Sequence, residues 1–216
     1  MVINKTITND KEKIKEILTD SINSFEHIDK YKMVGIFGSI IHEGGKLGDV
    51  DLVSFSDGSF HEKFRGHLTK EFKKKGIKLI FFETVTRMPK KNKGELLIHD
   101  HLYYDLNYFL ENQWNVLINV MIKDLITLHG KNIIKDLPQQ KISKKDLFLP
   151  FIKWIDTINN IKKYNKFKNY ILSHLSENFY DSGFKKEGNE IEIILNSNTN
   201  WKTNLNKIKK VLKTSL

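Results

Sequence analysis

VGIFGSIIHEGGKLGDVDLVSFS, residues 34–56, is the stretch that decides how the chain reads. A short apolar run ends on Gly38-Ser39, nine residues follow, and Asp49-Val50-Asp51-Leu52-Val53 opens a second run. Residues 32–37 are apolar enough for a buried strand, and residues 49–55 begin with polar–apolar alternation, so both read as strands. Successive side chains on a strand point to opposite faces. Asp49, Asp51 and Val53 therefore share one face, and Val50, Leu52 and Ser54 the other. An Asp-x-Asp pair by itself suits a solvated strand face. Here the pair stands beside a glycine turn, whose backbone N–H groups and Ser39 hydroxyl suit phosphate oxygens. Neighbouring carboxylates repel unless a cation lies between them, and hard divalent cations take oxygen ligands. Together these parts suit metal-assisted phosphoryl transfer.

Outward from this stretch, residues 10–25 carry Ile14, Ile17, Leu18, Ile22 and Phe25 at helical spacing, with Thr8, Asn9 or Asp10 as cap. Residues 39–44 suit a short helix before the Gly44-Gly45 break. Ser59-Phe60-His61-Glu62 has the form of a capping box and predicts a helix through Phe64, Leu68 and Phe72 to Gly76. Two apolar runs, 77–85 and 95–104, flank the turn MPKKNKG and predict a hairpin. Residues 106–128 read as helical, ending near Gly130. Pro138 opens a polar linker. Helices are predicted at about 144–164, 166–179 and 201–214, with a short strand, EIEIIL, at 190–195. The division expected is a domain of residues 1–137 and a basic, mainly helical region of residues 138–216.

The chain has 216 residues, 39% of them hydrophobic, and no apolar stretch long enough to span a bilayer. Its start lacks the apolar centre of a signal peptide, so a cytoplasmic protein without membrane attachment is expected. There is no cysteine, so any metal must be held by oxygen or imidazole. The net charge of +10 is uneven: residues 141–216 carry +8 and residues 1–140 only +2. A basic region fits an anionic partner, nucleic acid first. It also fits genomic codon bias, since Arg65 and Arg87 are the sole arginines and Asn is abundant. Tyr164, Phe167, Tyr170 and Trp201, among the lysines, suit either core packing or base stacking.

The segment FGSIIHEGGKLGDVDLV resembles the signature of the nucleotidyltransferase superfamily related to DNA polymerase β: an apolar residue, Gly-Ser, a spacer, then Asp-apolar-Asp-apolar. Phe37, Gly38, Ser39, Asp49, Val50, Asp51 and Leu52 carry the resemblance, which covers about residues 10–105. It implies an α/β (α+β) nucleotidyltransferase fold, a short mixed sheet with helices on one side, followed by the helical C-terminal region. It implies two Mg²⁺ ions, or Mn²⁺, at Asp49 and Asp51, and nucleotide binding by Gly38, Ser39 and His42. His42 stands where small members carry Arg, and reads either as a variable surface residue or as a weaker charge near the triphosphate. The family's third carboxylate, from an adjacent strand, would be Asp100, as catalytic and metal residue, or Glu83. His99 and His101 fall on the opposite strand face from Asp100 and read as packed or acceptor-facing. The implied activity is transfer of a nucleoside monophosphate from a nucleoside triphosphate such as ATP to an acceptor hydroxyl. RNA, transfer RNA included, is the first acceptor. A toxin–antitoxin enzyme modifying protein or RNA, and an antibiotic nucleotidyltransferase, are the alternatives. A binding module without a third carboxylate is the alternative of another class, and a third carboxylate within reach of Asp49 and Asp51 would favour catalysis over it.

Overall fold

The structure, a computed structural model, describes residues 10–41, 47–83, 89–158, 179–180, 182–197 and 199–216. They divide into two compact units. One comprises the chain to Gln113 together with Leu117–Gln139; the other comprises Trp114–Val116 and Gln140–Leu216.

The first unit is built on a five-stranded mixed sheet in the order β3-β4-β2-β1-β5. Its strands are β1 (Tyr31–Phe37), β2 (Asp49–Ser56), β3 (Lys78–Phe82), β4 (Glu95–Tyr103) and β5 (Ile126–Gly130). β1 runs antiparallel to both β2 and β5, whereas β4 runs parallel to both β2 and β3. Strand β2 sits centrally and is buried along most of its length, which explains its nearly continuous apolar run after Asp51.

Helix α1 (Lys11–Asn23) and helix α2 (His61–Lys74) cover one face of the sheet. Ile14, Leu18, Ile22, Phe64, Leu68 and Phe72 pack there with Val34, Ile36, Val50, Leu52 and Ile98. Asp10 caps α1, accepting from the Lys13 backbone N–H at 3.0 Å. The helices are not confined to that side. α3 (Leu106–Asn112) and α4 (Asn115–Asp124) bring Phe109, Ile118 and Met121 against Met33, Phe37, Val53, Phe55 and Tyr103, the opposite face.

Four local expectations are corrected. Residues 77–85 and 95–104 do not form a hairpin: β3 and β4 are neighbours but parallel, with Lys78 opposite Glu95 and Phe82 opposite His99. The twelve residues between the two strands are enough for a crossover back to the starting end of the sheet. Ser59 does not cap α2. Its backbone N–H and hydroxyl both donate to Asp57, and Phe60 holds the cap position without a side-chain bond. The segment 106–128 is two helices and then β5. Gly35 admits that edge strand, because a Cβ there would lie 2.9 Å from the Ile126 carbonyl oxygen. Finally, EIEIIL is helical, within α6 (Lys185–Asn196), because Glu187, Ile191 and Leu195 recur every four residues and are buried together.

The second unit contains α5 (Lys144–Ile158), α6 and α7 (Trp201–Ser215) around Phe148, Ile155, Phe179, Ile191, Leu205 and Leu212. Among the described residues, no helix is long and apolar enough to cross a membrane.

Candidate active site

Strand β1 ends at Phe37, and Gly38 takes φ +76°, a left-handed conformation that favours glycine. A short 3-10 turn, Gly38–Ile40, follows. Phe37 lies opposite Asp51 in the β1–β2 register, so the turn comes directly against the Asp51 carboxylate. A Cβ at Gly38 would collide with Oδ2 of Asp51. Two constraints thus coincide on Gly38, backbone conformation and a neighbouring carboxylate. The exposed Ser39 donates its hydroxyl to the Asp49 carbonyl at 3.2 Å, tying the turn to the first residue of β2. Gly38, Ser39, Asp49 and Asp51 therefore meet at one edge. His42 lies outside the described residues.

The β2–β4 register settles which side chains join them. Asp51 lies opposite His99, and Leu52 opposite Asp100. Because neighbours across a sheet share a face, His99 and His101 stand with Asp49 and Asp51, while Asp100 stands with Leu52. His99 Nδ1 is 3.0 Å from Asp51 Oδ1, and His101 Nε2 is 3.7 Å from the same oxygen. The second distance is an ion-pair contact too long for a hydrogen bond. The His99 ring stacks on Phe82 at 4.7 Å and lies 4.0 Å from that of His101. Phe37 touches the other end, 5.6 Å from His101.

Asp100 does not join the pair. Its Oδ2 meets His61 Nε2 at 2.9 Å and accepts from Arg65 Nε at 2.6 Å on the α2 side of the sheet. Glu83 does not join either: its exposed carboxylate accepts from Arg65 Nη2 at 3.0 Å. Arg65 completes the network with Glu62 at 3.1 Å. Burial pushes the Asp100 carboxyl up, but the hydrogen bonds and charges of His61 and Arg65 outweigh it and hold it below the usual carboxylate range.

The two aspartates of the pair are pushed apart. Burial, then the Asp51 charge, raises Asp49 to about 6. Burial also works against the Asp51 charge, yet the imidazoles of His101 and His99 prevail and hold it below the usual range. Burial lowers His99, and the bond and charge of Asp51 more than restore it, leaving it above an ordinary imidazole. Lys91 adds positive charge: its Nζ donates to the Leu47 carbonyl at 2.9 Å, and its charge acts on Asp49.

The sequence reading placed His99 and His101 on the face opposite Asp100 but set Asp100, and not the histidines, beside the pair, and it did not single out Lys91. A signal for the histidines was present. Leu96 and Ile98 set the buried face of β4, and Asp100 follows them at spacing two, whereas His99 and His101 alternate with it.

No family model matches the sequence, and no curated protein matches it. Several solved structures resemble the chain, among them these two. One is a spectinomycin adenyltransferase AAD(9) from Enterococcus faecialis with ATP and spectinomycin, at 13% identity and TM-score 0.48, covering 94% of this chain and 97% of that one. The other is a toxin–antitoxin MntA-HpeT mutant, at 12% identity and TM-score 0.28, covering 77% of this chain and 98% of that one. The structure itself sets the Gly38-Ser39 turn against the Asp49-x-Asp51 strand of a five-stranded mixed sheet.

Proposed function

We propose that the protein is a divalent-metal-dependent nucleotidyltransferase acting on a nucleoside triphosphate, ATP being the first to try. The observation that carries the reading is the placement of a left-handed Gly38 turn directly against Asp51, with Asp49 on the same strand face. The donor chemistry fits a divalent ion: two carboxylates side by side, one of them raised by burial and by the charge of the other. Asp49 and Asp51 would hold it, Mg²⁺ or Mn²⁺ in the family pattern. Such an ion neutralises charge on the phosphates and lowers the pKa of an acceptor hydroxyl.

The chain's own residues supply the rest. The turn at Gly38 and Ser39 receives the terminal phosphates and orients the α-phosphate toward the carboxylates. Lys91 adds a cation on the Asp49 side. His99 and His101 stand on β4 beside Asp51, on the face of the sheet that carries the pair. The attacking hydroxyl gives up its proton to water as the new bond forms. Attack on the α-phosphate forms the new phosphoester bond and breaks the bond to the β,γ-diphosphate, which leaves as pyrophosphate.

RNA is the first acceptor to test. Lys202, Lys209 and Lys213 fall along one stripe of α7 by their spacing, and Lys202 and Lys213 are exposed. Lys162, Lys163, Lys166 and Lys168, like Tyr164, Phe167 and Tyr170, lie outside the described residues. A protein acceptor of the toxin–antitoxin kind and an antibiotic hydroxyl are the alternatives. The test is incubation with each α-labelled triphosphate and divalent ion, offering RNA, protein and aminoglycoside-type acceptors in turn. Label joined to an acceptor supports the reading, and equal labelling by Asp49→Asn/Asp51→Asn defeats it.

A second reading has its own observation. Among the described residues neither Asp100 nor Glu83 reaches the pair, which favours a triphosphate-binding module without catalysis. Triphosphate binding without transfer to any acceptor class would select it.

A further inference from the structure

We propose that Asp51, His99 and His101 form a binding site for a borderline transition-metal ion of the zinc class, rather than for Mg²⁺. The inference deepens the reading above, because it concerns the same edge of the sheet. One ligand atom from each of the three residues lies within 4.8 Å of the others, the span over which a single ion can gather them. Asp51 Oδ1 is common to both short contacts, 3.0 Å to His99 Nδ1 and 3.7 Å to His101 Nε2.

Three further observations support the assignment. The imidazoles are held in place before any ion arrives: His99 lies flat on Phe82, with 4° between the rings, and His101 is wedged between His99 and Phe37. Nε2 of His101 is buried and makes no hydrogen bond, and a buried polar atom without a partner is costly. A metal bond satisfies it without another protein donor. The ligand chemistry decides the ion. Two imidazoles and one carboxylate form the three-ligand set of catalytic zinc sites and leave a coordination position open for a phosphate oxygen or water. Mg²⁺ asks for near-octahedral oxygen and seldom takes imidazole, whereas affinity for nitrogen ligands rises along the transition series through Co²⁺ and Ni²⁺. The competing account is that the imidazoles only brace Asp51.

The test uses the full chain, stripped of metal and free of nucleotide, so it does not depend on transfer. Co²⁺ is titrated in while its visible absorption is followed, then Zn²⁺ is titrated against a chromophoric chelator. The expected result is one Co²⁺ per chain with ligand-field bands, displaced by stoichiometric Zn²⁺ and untouched by millimolar Mg²⁺. His99→Gln and His101→Gln should each weaken Zn²⁺ by at least about tenfold, since even losing a hydrogen-bond partner behind a ligand costs roughly that much. Wild-type protein that holds Co²⁺ and Zn²⁺ no more tightly than Mg²⁺ overturns the inference, whatever the variants do. So do folded variants that bind Zn²⁺ as wild type does. Nucleotide transfer failing while Co²⁺ binds would count against the proposed function and leave this site standing.

Discussion

Replacing Asp49 with Asn removes a carboxyl that the fold would rather keep neutral. Burial and the charge on Asp51 raise it from an ordinary 3.8 to about 6. The folded state therefore binds the Asp49 proton more tightly than the unfolded chain, and stability falls as pH rises through that window. Below pH 4 the carboxyl is neutral in both states and carries no penalty. Above about pH 7 the penalty is complete. At roughly 1.4 kcal/mol per pKa unit the shift amounts to about 3 kcal/mol, and partial exposure of the site trims it to ~1–2 kcal/mol. Asp49→Asn should thus gain on wild type between pH 4 and pH 8 by that amount, in protein stripped of metal. Tryptophan fluorescence is the wrong probe, because Trp114, Trp154 and Trp201 all belong to the second unit. Amide hydrogen exchange across residues 49–56, in chelator, reports on the strand itself. A divalent ion at about a hundred times its dissociation constant should reverse the order, adding ~2.7 kcal/mol to wild type and less to the variant. Parallel exchange of wild type and variant at both pH values would refute the claim that the two carboxylates are forced together.

Asp100→Ala should destabilise the first unit by about 3 kcal/mol in denaturant unfolding, because it strands Arg65 and His61 in a buried site, yet leave metal affinity unchanged. A loss of metal affinity would return Asp100 to the site. Because the Asp100 carboxyl is depressed, its contribution is full above about pH 4 and fades as pH falls further, in the opposite sense to Asp49; an acid titration of Asp100→Asn against wild type reads the difference. Gly38→Ala should cost roughly 1–2 kcal/mol from the left-handed backbone alone, and should weaken metal binding as well, since its Cβ pushes on Asp51; unchanged affinity for the ion would show the turn to be structural only. If α7 meets RNA, Lys202→Gln/Lys209→Gln/Lys213→Gln should flatten the log–log salt dependence of RNA binding by about 0.7 per lost phosphate contact; an unchanged slope would leave the basic charge to codon bias.

Much of the site was legible because it rests on short-range rules. Gly38 and Ser39 close an apolar strand, and the i, i+2 spacing of Asp49 and Asp51 fixes their common face without knowledge of any partner strand. α1 and α2 announced themselves through apolar spacing, and the structure buries Ile14, Leu18, Phe64 and Leu68 as that spacing requires. The third group was not legible, because it depends on long-range register. Shifting β4 by one residue against β2 would exchange His99 for Asp100, and the local hint, Asp100 in step with Leu96 and Ile98, is weak because Leu97 is buried too. What distinguishes them lies elsewhere in the chain. Arg65, one of only two arginines, stands four residues after His61 on α2, and both reach Asp100. The hairpin failed for a related reason. A turn sequence marks where the chain bends but says nothing of whether the next strand starts from the near or the far end of the sheet. EIEIIL shows tertiary packing overriding local alternation: its isoleucines fit a strand, but Ile191 and Leu195 are buried one helical turn apart while Ile193 is left 70% exposed.

The central claim is that Asp49 and Asp51, faced by the Gly38 turn, carry out transfer of a nucleotide. The most direct measurement is the fate of an α-labelled nucleoside triphosphate incubated with the protein, a divalent ion and mixed cellular acceptors, alongside Asp51→Asn. Label should be covalently joined to an acceptor, with one pyrophosphate released per transfer, and both should be lost in the variant. Labelling that persists unchanged in Asp51→Asn, or wild-type protein that neither binds nor consumes any triphosphate with Mg²⁺, Mn²⁺ or Zn²⁺, would contradict it.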